Sequence, residues 1–323
     1  CFLWISPYKY YKYVLSLGHL CSDINQSILS AVLPFLIATY HYDYTTAAML
    51  VTVSNVFGVF VQPFIGMLSD KKNRLLYMTL GVLLASGGMA VTGFISNFFV
   101  LCIVVIISGI GVAMFHPQAA KLFNSVSSKN AKGKGMSIFS FGGKVGFTLG
   151  PVYTAFLMNL FGMKGTILFL IPGIVLGIVC SFFNKDFENL DVLEVEKKEE
   201  VKSEQNDDWS GFIKLCGVVF SRSILSNGIS TFLAFYFIQQ FSKSNSFASM
   251  LLSVFYGIGS ITFLGGGIAD CFGHRKMVRL SFCIFLPAIF IFTNTSHFVI
   301  ALIMLIFMIC GESLSYSPMV VLG

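Results

Sequence analysis

The sequence predicts an all-α polytopic membrane protein built from two related halves, and three observations carry that prediction. Hydrophobic residues make up 55% of the 323 and charged residues only 11%, with a mean hydropathy of +0.80. Helices that are apolar all round belong in lipid. A phrase then occurs twice: Gly66-Met67-Leu68-Ser69-Asp70-Lys71-Lys72-Asn73-Arg74 is echoed by Gly266-Gly267-Ile268-Ala269-Asp270-Cys271-Phe272-Gly273-His274-Arg275-Lys276. Each copy lies between two long apolar runs and sets an acid four residues after a glycine, with a basic cluster behind it. A repeat at that separation marks two homologous halves. Finally, most of the 21 Lys and Arg fall before the first apolar run or in alternate loops, while the opposite loops hold only Lys164 and Lys243. Basic loops stay in the cytoplasm, so the N-terminus is expected inside.

Apolar runs of about 20 residues read as spans. Ten are expected, at 14–40, 45–68, 75–95, 98–121, 134–160, 165–184, 211–241, 246–269, 276–294 and 297–320. An architecture of two six-helix halves needs two more, so the sequence reads as a fragment of a chain of about 12 spans with the last two missing. The division expected is 1–184 for the N-terminal six-helix half, 185–210 for a cytoplasmic charged linker and 211–323 for four helices of the C-terminal half. The linker holds ten of the chain's fifteen acids and reads as a solvated tether. The eight cysteines form no CxxC pair and have no His at ligand spacing, so neither disulfides nor a metal is expected.

Span 1 carries His19, Ser22, Asp23, Gln26 and Ser30 within about one-third of its circumference at 100° per residue, and later Pro34. Polarity facing lipid is costly, so this stripe should face a neighbouring helix or a cavity. Span 4 ends in Phe115-His116-Pro117. Span 5 has two faces: Gly142, Gly146 and Gly150 repeat every fourth residue and invite close approach of another helix. Ser137, Ser140, Lys144 and Thr148 lie opposite, and Pro151 follows Gly150.

These blocks carry a resemblance. The repeated glycine–acid–basic phrase resembles the loop 2–3 signature of the major facilitator superfamily. Gly150-Pro151 resembles the end of its span 5 antiporter signature. The span 1 phrase, Phe115-His116-Pro117, the run from Ser137 to Pro151, and Phe220-Ser221-Arg222 followed by Phe235-Tyr236-Phe237 look like the fosmidomycin-resistance branch. The resemblance covers nearly the whole chain and implies the major facilitator fold, in which spans 1, 4, 7 and 10 line a central cavity. Those spans carry Asp23, His116, Arg222 and Glu312. Lys144 is a departure, since a neutral polar residue is usual there.

With the linker, the repeated acids and Asp43 set aside, Asp23 and Glu312 are the acids inside spans. Lys144 and Arg222 are the cations, and His19 and His116 titrate near neutral pH. At about 1.5 Å per residue, Asp23, Lys144, Arg222 and Glu312 all fall near mid-depth. An acid there can carry a proton between the two sides. Asp23 is the expected carrier, and Lys144 is expected to set when it releases the proton. His116 reads as a helix-end or gate residue, and Glu312 as a second cavity acid. Asp270 is expected against the start of span 5, near Lys132–Met136, with Arg275 beside it.

The resemblance implies secondary active transport: export of a small drug-like, polar or anionic compound in exchange for protons. Proton-coupled uptake of a sugar, organic acid or phosphate ester is the alternative. No phosphate-binding loop for ATP appears, and no nucleophile–base set marks an enzyme. The one-sided charge argues against nucleic acid. A monomer in the plasma membrane without cofactor is expected, its partners being solute, protons and bilayer.

Overall fold

A computed structural model describes residues 8–68, 74–126, 132–182, 209–260 and 272–322. The chain divides into two compact units, Cys1–Lys202 and Ser203–Gly323. The first contains α1 (Tyr8–Tyr40), α2 (Tyr44–Leu68), α3 (Arg74–Val91), α4 (Phe98–Val126), α5 (Lys132–Phe161) and α6 (171–182). A 3-10 segment, Gly162–Leu170, joins α5 directly to α6. The second contains α7 (Trp209–Phe241), α8 (Asn245–Gly259), α9 (His274–Asn294) and α10 (Phe298–Leu322).

In the first unit α1 is the centre, touching α2, α3, α4 and α5. Its apolar window is 78% buried against 22% for α2, which is why it can carry so many polar residues away from lipid. Leu15 of α1, Met78 and Val82 of α3, Phe115 and Phe123 of α4 and Leu176 of α6 form one buried cluster around it. Some polar side chains bond within their own helix: Thr148 donates to the Lys144 carbonyl and Thr154 to the Gly150 carbonyl. Asn25 Nδ2 donates across to Ser86 Oγ of α3 at 2.9 Å and, within α1, to the Cys21 carbonyl at 2.8 Å.

In the second unit α9 lies along α10, which also meets α7 and α8. The first-to-second helix connections of the two units repeat in detail. α1 and α7 are each followed by a left-handed residue, His41 (φ 58°) and Ser242 (φ 49°). A side-chain cap follows: Asp43 Oδ1 accepts from Thr46 N at 2.5 Å, and Ser244 Oγ from Phe247 N at 3.3 Å. Tyr40 donates to the Gly93 carbonyl just after α3, and Tyr236 to the Phe292 carbonyl near the end of α9, both at 2.7 Å. Each unit thus ties its first helix to the end of its third with a tyrosine.

The ten expected spans are seen as eight stretches, among the described residues, that are long and apolar enough to cross a membrane. Phe139–Phe182 counts as one because no polar loop separates α5 from α6. α8 has only 15 described residues, too few for a crossing by themselves. The linker, apart from its last two residues, lies outside the described residues, as do Asp70, Gly266 and Asp270; the contact expected for Asp270 falls there too.

Candidate functional site: one charged cluster in each unit

In the first unit the Asp23 carboxylate sits between two imidazoles. His19 Nε2 lies 3.2 Å from Asp23 Oδ2, one helical turn away on α1, and His116 Nε2 of α4 lies 3.4 Å from Oδ1. The side chains are 5% exposed for Asp23, 14% for His19 and 29% for His116. His116 is no helix-end residue: α4 continues through Pro117 to Val126 and presents the ring to α1. The opposite edge of the His19 ring is fixed by α5. Its Nδ1 is 2.9 Å from the Phe139 carbonyl, and the ring stacks on the Phe139 ring at 4.2 Å between centroids.

α5 comes this close because its glycines face α1. A Cβ at Gly146 would stand 2.5 Å from the Leu20 carbonyl oxygen, and Gly142 and Gly150 likewise abut Ser16, Ile24 and Ser27. Gly143, next to that stripe, abuts the cluster itself. Lys144 is half-buried and within electrostatic range of His19. Ser22 and Ser30 of the expected α1 stripe are buried, but Gln26 is exposed. Asn25 and Ser27, outside the stripe, are buried instead. The helix is surrounded on several sides, so a one-sided polar stripe understates what can be satisfied.

In the second unit Arg222 of α7 and Glu312 of α10 form an ion pair through Nη2 and Oε1. The guanidinium Nε donates to Ser315 Oγ at 3.1 Å, and that hydroxyl donates to the Glu312 carbonyl at 2.7 Å. Tyr256 of α8 hydrogen-bonds Ser230 and lies within electrostatic range of Glu312. Arg222, Glu312 and Ser315 line a small, partly open recess with Leu225, Ser281 and Phe285. Both clusters place the charge of one helix against a side chain from another, as an alternative to burying it alone.

The remaining expected residues stand apart from these clusters. Gly66 lies in the last turn of α2, where its carbonyl accepts from Lys121 Nζ of α4 at 3.1 Å. Arg74 opens α3, Arg275 is exposed in the first turn of α9, and Pro151 is buried inside α5. Sequence reasoning did not single out Gly143, Phe139 or Tyr256. The doublet Gly142-Gly143 was the visible signal for the first. The others depend on which helix lies opposite.

The connection after the first helix repeats between the two units, and each unit holds a charged cluster among its helices. Residues 15–323 match the sequence profile of the Major Facilitator Superfamily. The chain belongs to that superfamily. It is similar to the fosmidomycin resistance protein of Escherichia coli (strain K12), with 22% identity over 268 residues covering 82% of this chain and 66% of that one. It is also similar to a probable L-galactonate transporter of the same strain, with 28% identity over 151 residues covering 46% of this chain and 33% of the other. Among solved structures, a bacterial homolog of the human lysosomal transporter Spinster, inward-facing and occupied, superposes with a TM-score of 0.80 at 17% identity. That superposition covers 97% of this chain and 74% of the homolog, and at such identity it speaks for the major facilitator fold alone. The chain spans 66% of the length of the fosmidomycin resistance protein.

Proposed function

We propose that this chain carries a small anionic solute, an organic acid or a phosphate ester, together with a proton. The observation that supports this reading is the Arg222–Glu312 pair on the wall of a small, partly open recess, which a solute would have to widen as it enters. A carboxylate or phosphate entering the recess competes with Glu312 for the guanidinium, which suits planar anions. Displacing the guanidinium leaves Glu312, only 13% exposed, as a nearly buried negative charge without its cation, a cost that a proton entering with the solute offsets. Solute binding thus promotes proton binding, and the reverse holds by linkage. Positive coupling of the two is symport. Similarity to the probable L-galactonate transporter supports an acidic, hydroxylated cargo.

The second reading is export in exchange for protons, supported by similarity to the fosmidomycin resistance protein and by the span-by-span resemblance to that branch. Exchange requires solute and proton to compete, which suits a cationic or hydrogen-bond-donating compound bound to Glu312 directly. The basic loops support an N-terminus in the cytoplasm, and a monomer in the plasma membrane is part of the same proposal. Proton flux in everted vesicles separates the readings. Addition of an organic acid should draw protons in the same direction as the solute. Proton movement opposite to the solute overturns symport in favour of export.

A further inference from the structure

We propose that His19, Asp23 and His116 bind a divalent transition-metal ion of the zinc, cobalt or nickel type. The proposal is independent of the solute reading, which rests on the other unit. The ligand atoms come from α1 and α4 and all lie within 4.8 Å of one another. A tetrahedral zinc with bonds of about 2.0–2.1 Å separates its donors by about 3.3 Å. The two imidazoles approach different oxygens of the carboxylate, His19 Nε2 lying 3.2 Å from Oδ2 and His116 Nε2 3.4 Å from Oδ1. The donors draw together by a small side-chain adjustment when one ion takes all three.

Hydrogen placement argues for a cation at the centre. The Phe139 carbonyl can only accept, so His19 Nδ1 carries a hydrogen and donates it at 2.9 Å. Neutral His19 then directs the lone pair of Nε2 at Asp23 Oδ2. Two acceptors face each other at 3.2 Å and need a positive charge between them. A proton on His19 satisfies Oδ2 and nothing else. Asp23 Oδ1 is buried and, among the described residues, makes no hydrogen bond, although His116 Nε2 stands 3.4 Å away. One metal ion serves both nitrogens and the carboxylate at once.

The surroundings fit a metal in two further respects. A backbone carbonyl on the far nitrogen of a ligating histidine fixes its tautomer and orientation, a recurring support for bound metals. Gly143 leaves the space beside the donors clear: a Cβ there would stand 2.5 Å from Asp23 Oδ2 and 2.6 Å from His19 Nε2. Two imidazoles select borderline-soft ions over magnesium or calcium. Three protein ligands leave one tetrahedral position open. With one carboxylate, a bound dication leaves net positive charge, and Lys144 nearby adds to it. The open position should therefore take water or an anion. The competing arrangement is a protonated His19 paired with Asp23 and no metal.

The test uses the full chain in detergent, stripped with a chelator and titrated with zinc or cobalt. One zinc per chain should survive desalting, and cobalt should give ligand-field bands of low coordination number. Asp23→Asn and His116→Ala should each weaken zinc binding at least about tenfold. His297→Ala, at a histidine in the connection before α10, should leave it unchanged. His116 is partly exposed, so its alanine variant keeps the core; equal helicity and a monodisperse elution profile check that. Zinc affinity of Asp23→Asn and His116→Ala within about twofold of the parent overturns the proposal, as does equal competition by magnesium.

Discussion

Gly143 faces Asp23 so closely that a methyl group on it would stand 2.5 Å from the carboxylate. α5 cannot retreat, because Gly142, Gly146 and Gly150 hold it against the α1 backbone on both sides of that point. Gly143→Ala should therefore lower stability by about 1–3 kcal/mol, the usual cost of overpacking a close-packed site. Gly87→Ala is the comparison. That glycine is inside α3 with nothing within 4 Å of an added Cβ, so the change should be neutral or stabilising by about 0.4–1 kcal/mol. Thermal unfolding of the two solubilised variants decides between local crowding and a general intolerance of change.

A pH-dependent contact outside the spans is carried by Asp43, the cap of α2. The Thr46 hydroxyl and then its N–H, both bonding the carboxylate, hold Asp43 below its ordinary value of 3.8. A lowered folded-state value means the cap contributes fully above the unfolded value and is lost as pH falls through the folded one. Hydrogen exchange at the Thr46 amide should thus be protected near neutrality and accelerate, beyond the intrinsic rate, only below about pH 3.8. Asp43→Asn should remove that pH dependence. An unchanged profile in Asp43→Asn would mean that another group governs the start of α2.

Much of the architecture was legible because lipid imposes simple rules. Long apolar runs gave the helices, and the four-residue glycine period gave the face of α5 that α1 approaches. The span count was harder. α5 and α6 are joined by Gly162–Leu170, which is itself apolar, so no polar loop marks the turn. The clusters were half legible. Asp23, Arg222 and Glu312 stand out as charges in spans, and His19 lies one turn from Asp23. Pairing was not legible, because it depends on helix rotation and depth. His116 appeared to end its helix at Pro117, yet α4 absorbs that proline and carries the ring to Asp23. Phe139 contributes through a backbone carbonyl, which no residue type announces.

The Arg222–Glu312 pair makes a stability prediction separate from transport. Removing one member leaves the other nearly buried and uncompensated, at 13–15% side-chain exposure. Arg222→Met alone should cost about 3–5 kcal/mol, less whatever water reaches Glu312 through the recess. Arg222→Met with Glu312→Leu should recover most of that loss, since two apolar side chains replace the pair. Unfolding curves of the parent, single and double variants measure it. A double variant no more stable than the single one would place the cost in lost packing by Arg222 and not in the orphaned charge.

Transport variants then separate the two clusters. Glu312→Gln keeps the shape of the recess and a hydrogen-bonding side chain, but holds no exchangeable carboxyl proton. It should still exchange labelled solute across vesicles with solute on both sides, because Arg222 remains. It should fail to concentrate solute when a proton gradient is imposed. Arg222→Ala should lose solute affinity by at least about tenfold, or 1.4 kcal/mol, in exchange and accumulation alike. Asp23→Asn supplies the contrast: it alters the other unit, and on the present assignment accumulation should respond to the proton gradient as in the parent after chelator treatment. Accumulation lost in Asp23→Asn and kept in Glu312→Gln would move the coupled proton from α10 to α1.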